Sequence, residues 1–124
     1  FESGLRRLFP DAVVHGSQAP RLPNTTNVSI PGARADHLLM ALDARGIAVS
    51  AGAACASGAV EPSPVLTAMG VPRELAVCAL RFSMGRTTTA AEVESVIGAL
   101  REAVPVAIAA GARALAAAGP GTPA

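Results

Sequence analysis

Cys55 stands in the run Ser50-Ala51-Gly52-Ala53-Ala54-Cys55-Ala56-Ser57-Gly58, whose small residues let backbone and thiol come close to another group. A reactive thiol needs exposure and surroundings that favour the thiolate. A free cysteine is otherwise a small core hydrophobe, but Cys55 is flanked by glycines and has no large apolar neighbours to be buried with. Cys78, in Leu75-Ala76-Val77-Cys78-Ala79-Leu80, has such neighbours and reads as core. The two are separate thiols, because neither a disulfide framework nor the short ligand spacing of a metal site is present, and no metal is expected. Arg81 lies in an alternating stretch with Leu80, Phe82 and Met84 on one face and Arg81 and Ser83 on the other. A planar guanidinium there can grip a carboxylate through two parallel hydrogen bonds. A plain surface arginine, or a partner for a nearby Asp or Glu, is the other reading that residue type leaves open. His15 and His37 have no spacing that pairs them with each other or with Cys55, and both read as surface or helix-face residues. All ten basic residues are arginine. Chemistry that needs a lysine Schiff base therefore cannot be completed within this chain.

The elements that must position these groups follow from patterning. Gly4 to Phe9 reads as the end of a helix, and Val13-Val14 as a sheet edge; Pro20, Pro23 and Asn24 then mark a loop. From Asn27 the pattern alternates, Val28 and Ile30 against Asn27 and Ser29, until Pro31-Gly32 ends a half-buried strand. Leu38, Leu39 and Leu42 recur at helical spacing between Arg34 and Arg45, and Gly46 sits where a left-handed cap is wanted. Ile47 to Ser50 reads as a short strand. The Ala51 to Gly58 stretch has little to anchor it, so mobility is expected there. Ser63-Pro64 is a helix start and Gly70 a stop. The stretch through Leu80 to Met84 reads as a central strand. Thr89 with Glu92 forms a capping box, followed by a buried stripe of Val93, Val96, Ile97, Leu100 and Val104 in a long helix that Pro105 should kink or interrupt. These elements make an α/β fold, a small sheet covered on one face by helices. The expected domain covers residues 1–118, and residues 119–124 read as a disordered tail.

With 124 residues, 51% of them hydrophobic and 15% charged, the chain can bury a core, so disorder throughout is excluded. A net charge of +1, with the basic and acidic residues scattered, gives no footprint for nucleic acid. The uncharged stretch Ala103 to Ala112 is shorter than the about 20 residues a bilayer span needs, so no membrane is expected. No secretion signal is evident, and a cytoplasmic location is expected. A chain that opens on Phe1 is expected to be a fragment or processed product.

Several short motifs stand together in order. They are Arg21-Leu22-Pro23-Asn24 through Asn27-Val28-Ser29; Leu38 to Leu42 with Gly46-Ile47-Ala48-Val49-Ser50; Gly52 to Gly58; Glu61-Pro62-Ser63 with Val65-Leu66 and Ala68-Met69-Gly70; and Leu80-Arg81-Phe82-Ser83-Met84-Gly85-Arg86. Through them the chain resembles the cysteine desulfurases of aminotransferase class V, of the nitrogen-fixation and iron-sulfur-assembly type with a mobile loop. The resemblance implies the small domain of a fold-type-I enzyme dependent on pyridoxal phosphate (PLP). It implies that Cys55 attacks the sulfur of an L-cysteine bound through PLP, yielding alanine and an enzyme persulfide, and that Arg81 binds the substrate carboxylate. Ala53 and Ala56 stand where that family usually has serine and threonine, which removes hydrogen bonds that could tune the thiol. The PLP lysine, the ring-stacking histidine and most phosphate contacts belong to the family's large domain, so no cofactor-binding residue is expected in this chain and the chain alone is expected to be inactive. A sulfur-acceptor or scaffold protein and the missing large domain are the implied partners, with a homodimeric parent. A free-standing persulfide carrier using Cys55, and the small domain of another class V aminotransferase-like enzyme, are the rival readings.

Overall fold

The computed structural model describes residues 1–52 and 61–118. In chain order these form α1 (Glu2–Leu8), β1 (Val13–Val14), β2 (Thr25–Ser29), α2 (Ala35–Asp43), β3 (Ser50–Ala51), α3 (Pro64–Ala68), α4 (Arg73–Ala76), β4 (Ala79–Ser83) and α5 (Ala90–Ala118). The two alternating stretches become neighbours at the centre of a four-stranded antiparallel sheet of order β1-β2-β4-β3. Period-two geometry sends Thr26, Val28, Leu80 and Phe82 to one face. There Val28, Leu80 and Phe82 meet Leu5 of α1, Leu38 and Leu42 of α2, and Leu100 and Val104 of α5 in one core. Thr26, buried among them, donates its hydroxyl to Glu2, which also pairs with Arg21. The α/β architecture with helices over a small sheet is thus the observed one.

Local signals act as their chemistry predicts at several helix ends. Gly46 has φ +75°. It lets Ile47 N–H reach back to the Leu42 carbonyl and its own N–H to Asp43, which closes α2. Ser63 Oγ accepts from Val65 N–H at 3.2 Å at the start of α3. Thr89 Oγ1 accepts from Glu92 N–H at 3.1 Å and also donates to that glutamate's carboxylate.

Three expectations change. Residues 47–49 are not strand; pairing with β4 begins only at Ser50, and Ile47 and Val49 instead pack against the helix-side core. Pro105 does not interrupt α5, which runs through it. The ring lies on an exposed turn, and the Arg101 carbonyl it leaves without an N–H is on an equally exposed residue that water can reach. Among the described residues α5 is also the one helix long and apolar enough to cross a bilayer by length and composition, which the short uncharged stretch did not foretell. Its middle turns, through Ala99, Leu100, Ala103, Val104 and Ala107, belong to the protein core. The expectations of a mobile segment around Cys55 and of a tail at 119–124 lie outside the described residues.

Candidate functional site

The face of the sheet turned away from the main core carries the polar residues. β2 contributes Thr25, Asn27 and Ser29, β4 contributes Arg81 and Ser83, and β3 contributes Ser50. The far end of this face is closed by α3 and α4, where Leu66, Ala76 and Ala79 form a second, smaller cluster. Ser29 is wholly buried there; its hydroxyl donates to the Leu75 carbonyl at 2.8 Å. The same oxygen stands 2.7 Å from His15 Nε2. Since the hydroxyl's single proton goes to the carbonyl, Nε2 carries the imidazole proton and donates. Burial holds the His15 pKa below its ordinary value.

At the open end, register sets one row across the sheet. His15 N–H donates to the Asn27 carbonyl at 2.8 Å, Asn27 lies opposite Arg81, and Arg81 lies opposite Ser50. Because the Asn27 main chain is turned toward His15, Asn27 and Arg81 form a non-hydrogen-bonded pair, the geometry in which antiparallel side chains stand closest. Arg81 is exposed and donates to Ser50 Oγ at 3.4 Å. Among the described residues it makes no ion pair, as is also true of Arg6, Arg7, Arg86, Arg101 and Arg113, whereas Arg21, Arg34, Arg45 and Arg73 each face a carboxylate. Among the described residues, Ser50 is thus the side-chain partner of this guanidinium.

β3 is also where the chain enters the Cys55 segment. Gly52 packs so tightly against the returning chain that a Cβ on it would lie 2.6 Å from the Glu61 carbonyl oxygen and 3.1 Å from Ser63 N. The two ends of residues 53–60 therefore meet beside the strand next to Arg81. Cys55 itself lies outside the described residues. Cys78 is 2% exposed, burial pushes its thiol pKa up, and its Sγ donates to the Glu74 carbonyl at 3.5 Å. It is a packed thiol, as its apolar neighbours imply. His37 lies on α2, away from this row.

Among the described residues no three His, Cys, Asp or Glu side chains gather to hold a metal ion. A cleft of about 310 Å3 lies elsewhere, between Val49, Phe82, Met84 and Val96, and Glu92, its carboxylate, is engaged in the α5 cap. We place the candidate site at the Arg81 row instead, because it lies beside the strand that leads to Gly52, where Gly52 and Glu61, the described residues flanking 53–60, come together. Sequence patterning alone did not bring out Asn27, Ser50 or the close approach at Gly52. Asn27 was placed on the polar face, but its pairing with Arg81 joins strands over fifty residues apart, and no local pattern encodes that register.

The chain matches the aminotransferase class-V family over residues 3–96. It belongs to that family. A cysteine desulfurase of Cereibacter sphaeroides is 48% identical over 99 residues, 80% of this chain and 26% of the relative. Cysteine desulfurase NifS of Azotobacter vinelandii is 41% identical over 105 residues, 85% of this chain and 25% of the relative. The solved structure of a NifS-like protein from Rickettsia africae superposes with a TM-score of 0.68 at 34% identity, covering 82% of this chain and 26% of that one. The chain thus spans about a quarter of the length of these relatives.

Proposed function

We propose that this chain is the small-domain part of a PLP-dependent cysteine desulfurase, with Cys55 as the nucleophile and Arg81 as the clamp for the carboxylate of L-cysteine. The observation that carries the reading is Arg81: an exposed guanidinium without an ion pair among the described residues, one strand away from the chain that leads to Cys55. Four steps along the backbone separate Ala51 from Cys55, so covalent geometry keeps the Cys55 Cα within about 14 Å of that strand. Relatives named cysteine desulfurase support the same reading.

The residues of this chain do not by themselves fit a PLP site, since there is no lysine to bond the cofactor. No step of the cofactor's chemistry is assigned to them. What the chain supplies is orientation and a nucleophile. Arg81 would fix the substrate through its carboxylate, two N–H groups to two oxygens. The Cys55 thiolate would attack the substrate sulfur, forming a sulfur–sulfur bond as the carbon–sulfur bond breaks; the electron pair of that bond would stay with the substrate carbon, which takes up a proton to leave as alanine, and the persulfide would remain on Cys55. Onward transfer to an acceptor protein follows from that persulfide.

The test is made in the complete enzyme. Cys55→Ser should abolish alanine formation from L-cysteine, and mass spectrometry of the wild type after one turnover should find the extra sulfur on the Cys55 peptide. Sulfur found on Cys78, or undiminished turnover by Cys55→Ser, would refute the assignment.

A further inference from the structure

Asn27 carries the one polar side-chain atom on this face, among the described residues, whose burial is uncompensated. Its amide oxygen Oδ1 is buried and has no hydrogen-bond partner there. A buried acceptor without a donor is costly, and native structures keep few of them. Such an atom calls for a donor that arrives. The His15 imidazole donates to Ser29, and Ser50 lies on the far side of Arg81. Arg81 is the residue directly opposite Asn27, in the close, non-hydrogen-bonded register. It has five N–H donors, and in the structure one of them makes a long, 3.4 Å contact with Ser50 Oγ.

We propose that Asn27 is a positioning residue for Arg81: Oδ1 accepts a hydrogen bond from the guanidinium when Arg81 takes up the substrate carboxylate. The inference rests on the reading of Arg81 as the carboxylate clamp. Held between Asn27 on one strand and Ser50 on the other, the planar group has its rotation about the end of the side chain restricted. Three of its donors then remain, two of which can serve the two carboxylate oxygens. The chemistry of the residue matters as much as its place. An amide accepts from the guanidinium without neutralising it, whereas an aspartate at position 27 would form its own ion pair with Arg81 and compete with the substrate. Because the effect runs through carboxylate binding, it should weaken every ligand that carries the carboxylate and spare ligands that lack it.

The experiment uses the complete enzyme loaded with its cofactor and compares two inhibitors, the product L-alanine and its carboxylate-free analogue ethylamine. Asn27→Ala should raise the inhibition constant of L-alanine about tenfold, the worth of one hydrogen bond to a charged group, and leave that of ethylamine unchanged. KM for L-cysteine should rise with it while kcat stays within about twofold, the signature of lost uniform binding. Asn27→Asp, close in volume and able to carry the test should the alanine variant fail to fold, should weaken L-alanine further and again spare ethylamine. Equal weakening of both inhibitors, or of neither, would overturn the role of Asn27. Arg81→Ala is the reference: it should erase the preference for L-alanine over ethylamine. If it does so while Asn27→Ala has no selective effect, only the positioning role fails; if it does not, the clamp and the positioning role fall together.

Discussion

Replacing Gly52 by alanine should destabilise the chain, and the same replacement at Gly98 should stabilise it. The Cβ of an alanine at 52 would stand 2.6 Å from the Glu61 carbonyl oxygen, well inside the 3.4 Å at which ordinary contact begins. Both nearest neighbours are main-chain atoms, so no side chain can rotate away and the backbone itself must retreat by most of an ångström. Overpacking of this kind costs about 1–3 kcal/mol. At position 98, inside α5, an added Cβ meets nothing within 4 Å. There the change removes unfolded-state freedom and improves helix propensity, worth about 0.5–1 kcal/mol in the other direction. Urea unfolding of the two variants measures both. With an m-value of about 1–3 kcal/mol/M, the midpoint of Gly52→Ala should fall by about 1 M and that of Gly98→Ala should rise by a few tenths. A neutral or stabilising Gly52→Ala would refute the close approach of Gly52 to Glu61 and Ser63.

Leu100 of α5 is fully buried in the core with residues of α2 and the sheet, and Leu100→Ala should cost about 2–5 kcal/mol in the same assay. In native conditions a maleimide should label Cys55 and leave Cys78 untouched until urea unfolds the chain; fast native labelling of Cys78 would contradict its burial. His15 has a folded-state pKa held below its ordinary 6.5 by burial, so the folded chain binds fewer protons than the unfolded one. Stability should therefore be full above that pH and decline as the pH falls through and below it, and His15→Gln should flatten the slope measured by urea midpoints between pH 7 and 5. Protonation leaves Nε2 a donor to Ser29, so the decline reports the burial of charge and not the loss of that bond.

The parts of the fold legible in the sequence were those written in short range. Val28 and Leu80 alternate with Asn27 and Arg81 because a strand shows its two faces in turn, and Leu38 with Leu42 marks one face of a helix. Gly46, Ser63 and Thr89 punctuate helices through bonds to residues two to five positions away. Register is different in kind. That Asn27 faces Arg81, and that Ser50 flanks it from the other side, depends on how α2, α3 and α4 fold back before β4 is laid down between β2 and β3. Pro105 misled for a related reason: its residue type argues for a break, and only the exposure of its turn shows why α5 tolerates it. Arg81 was legible as a polar residue on an apolar strand, but its lack of an ion partner among the described residues is a fact of three dimensions.

The meeting of Gly52 with Glu61 also bears on how such a domain can diversify. Once the two anchors are held together by the fold, the chain between them closes a loop whose entropy grows only logarithmically with length, so that doubling it costs about 0.6 kcal/mol. Insertions and deletions between these anchors would leave the β3 and β4 pairing and the core behind it unaltered. Length is thus nearly free to vary in the segment that contains Cys55, and related domains can exchange a short segment there for a long one without refolding the scaffold that carries it.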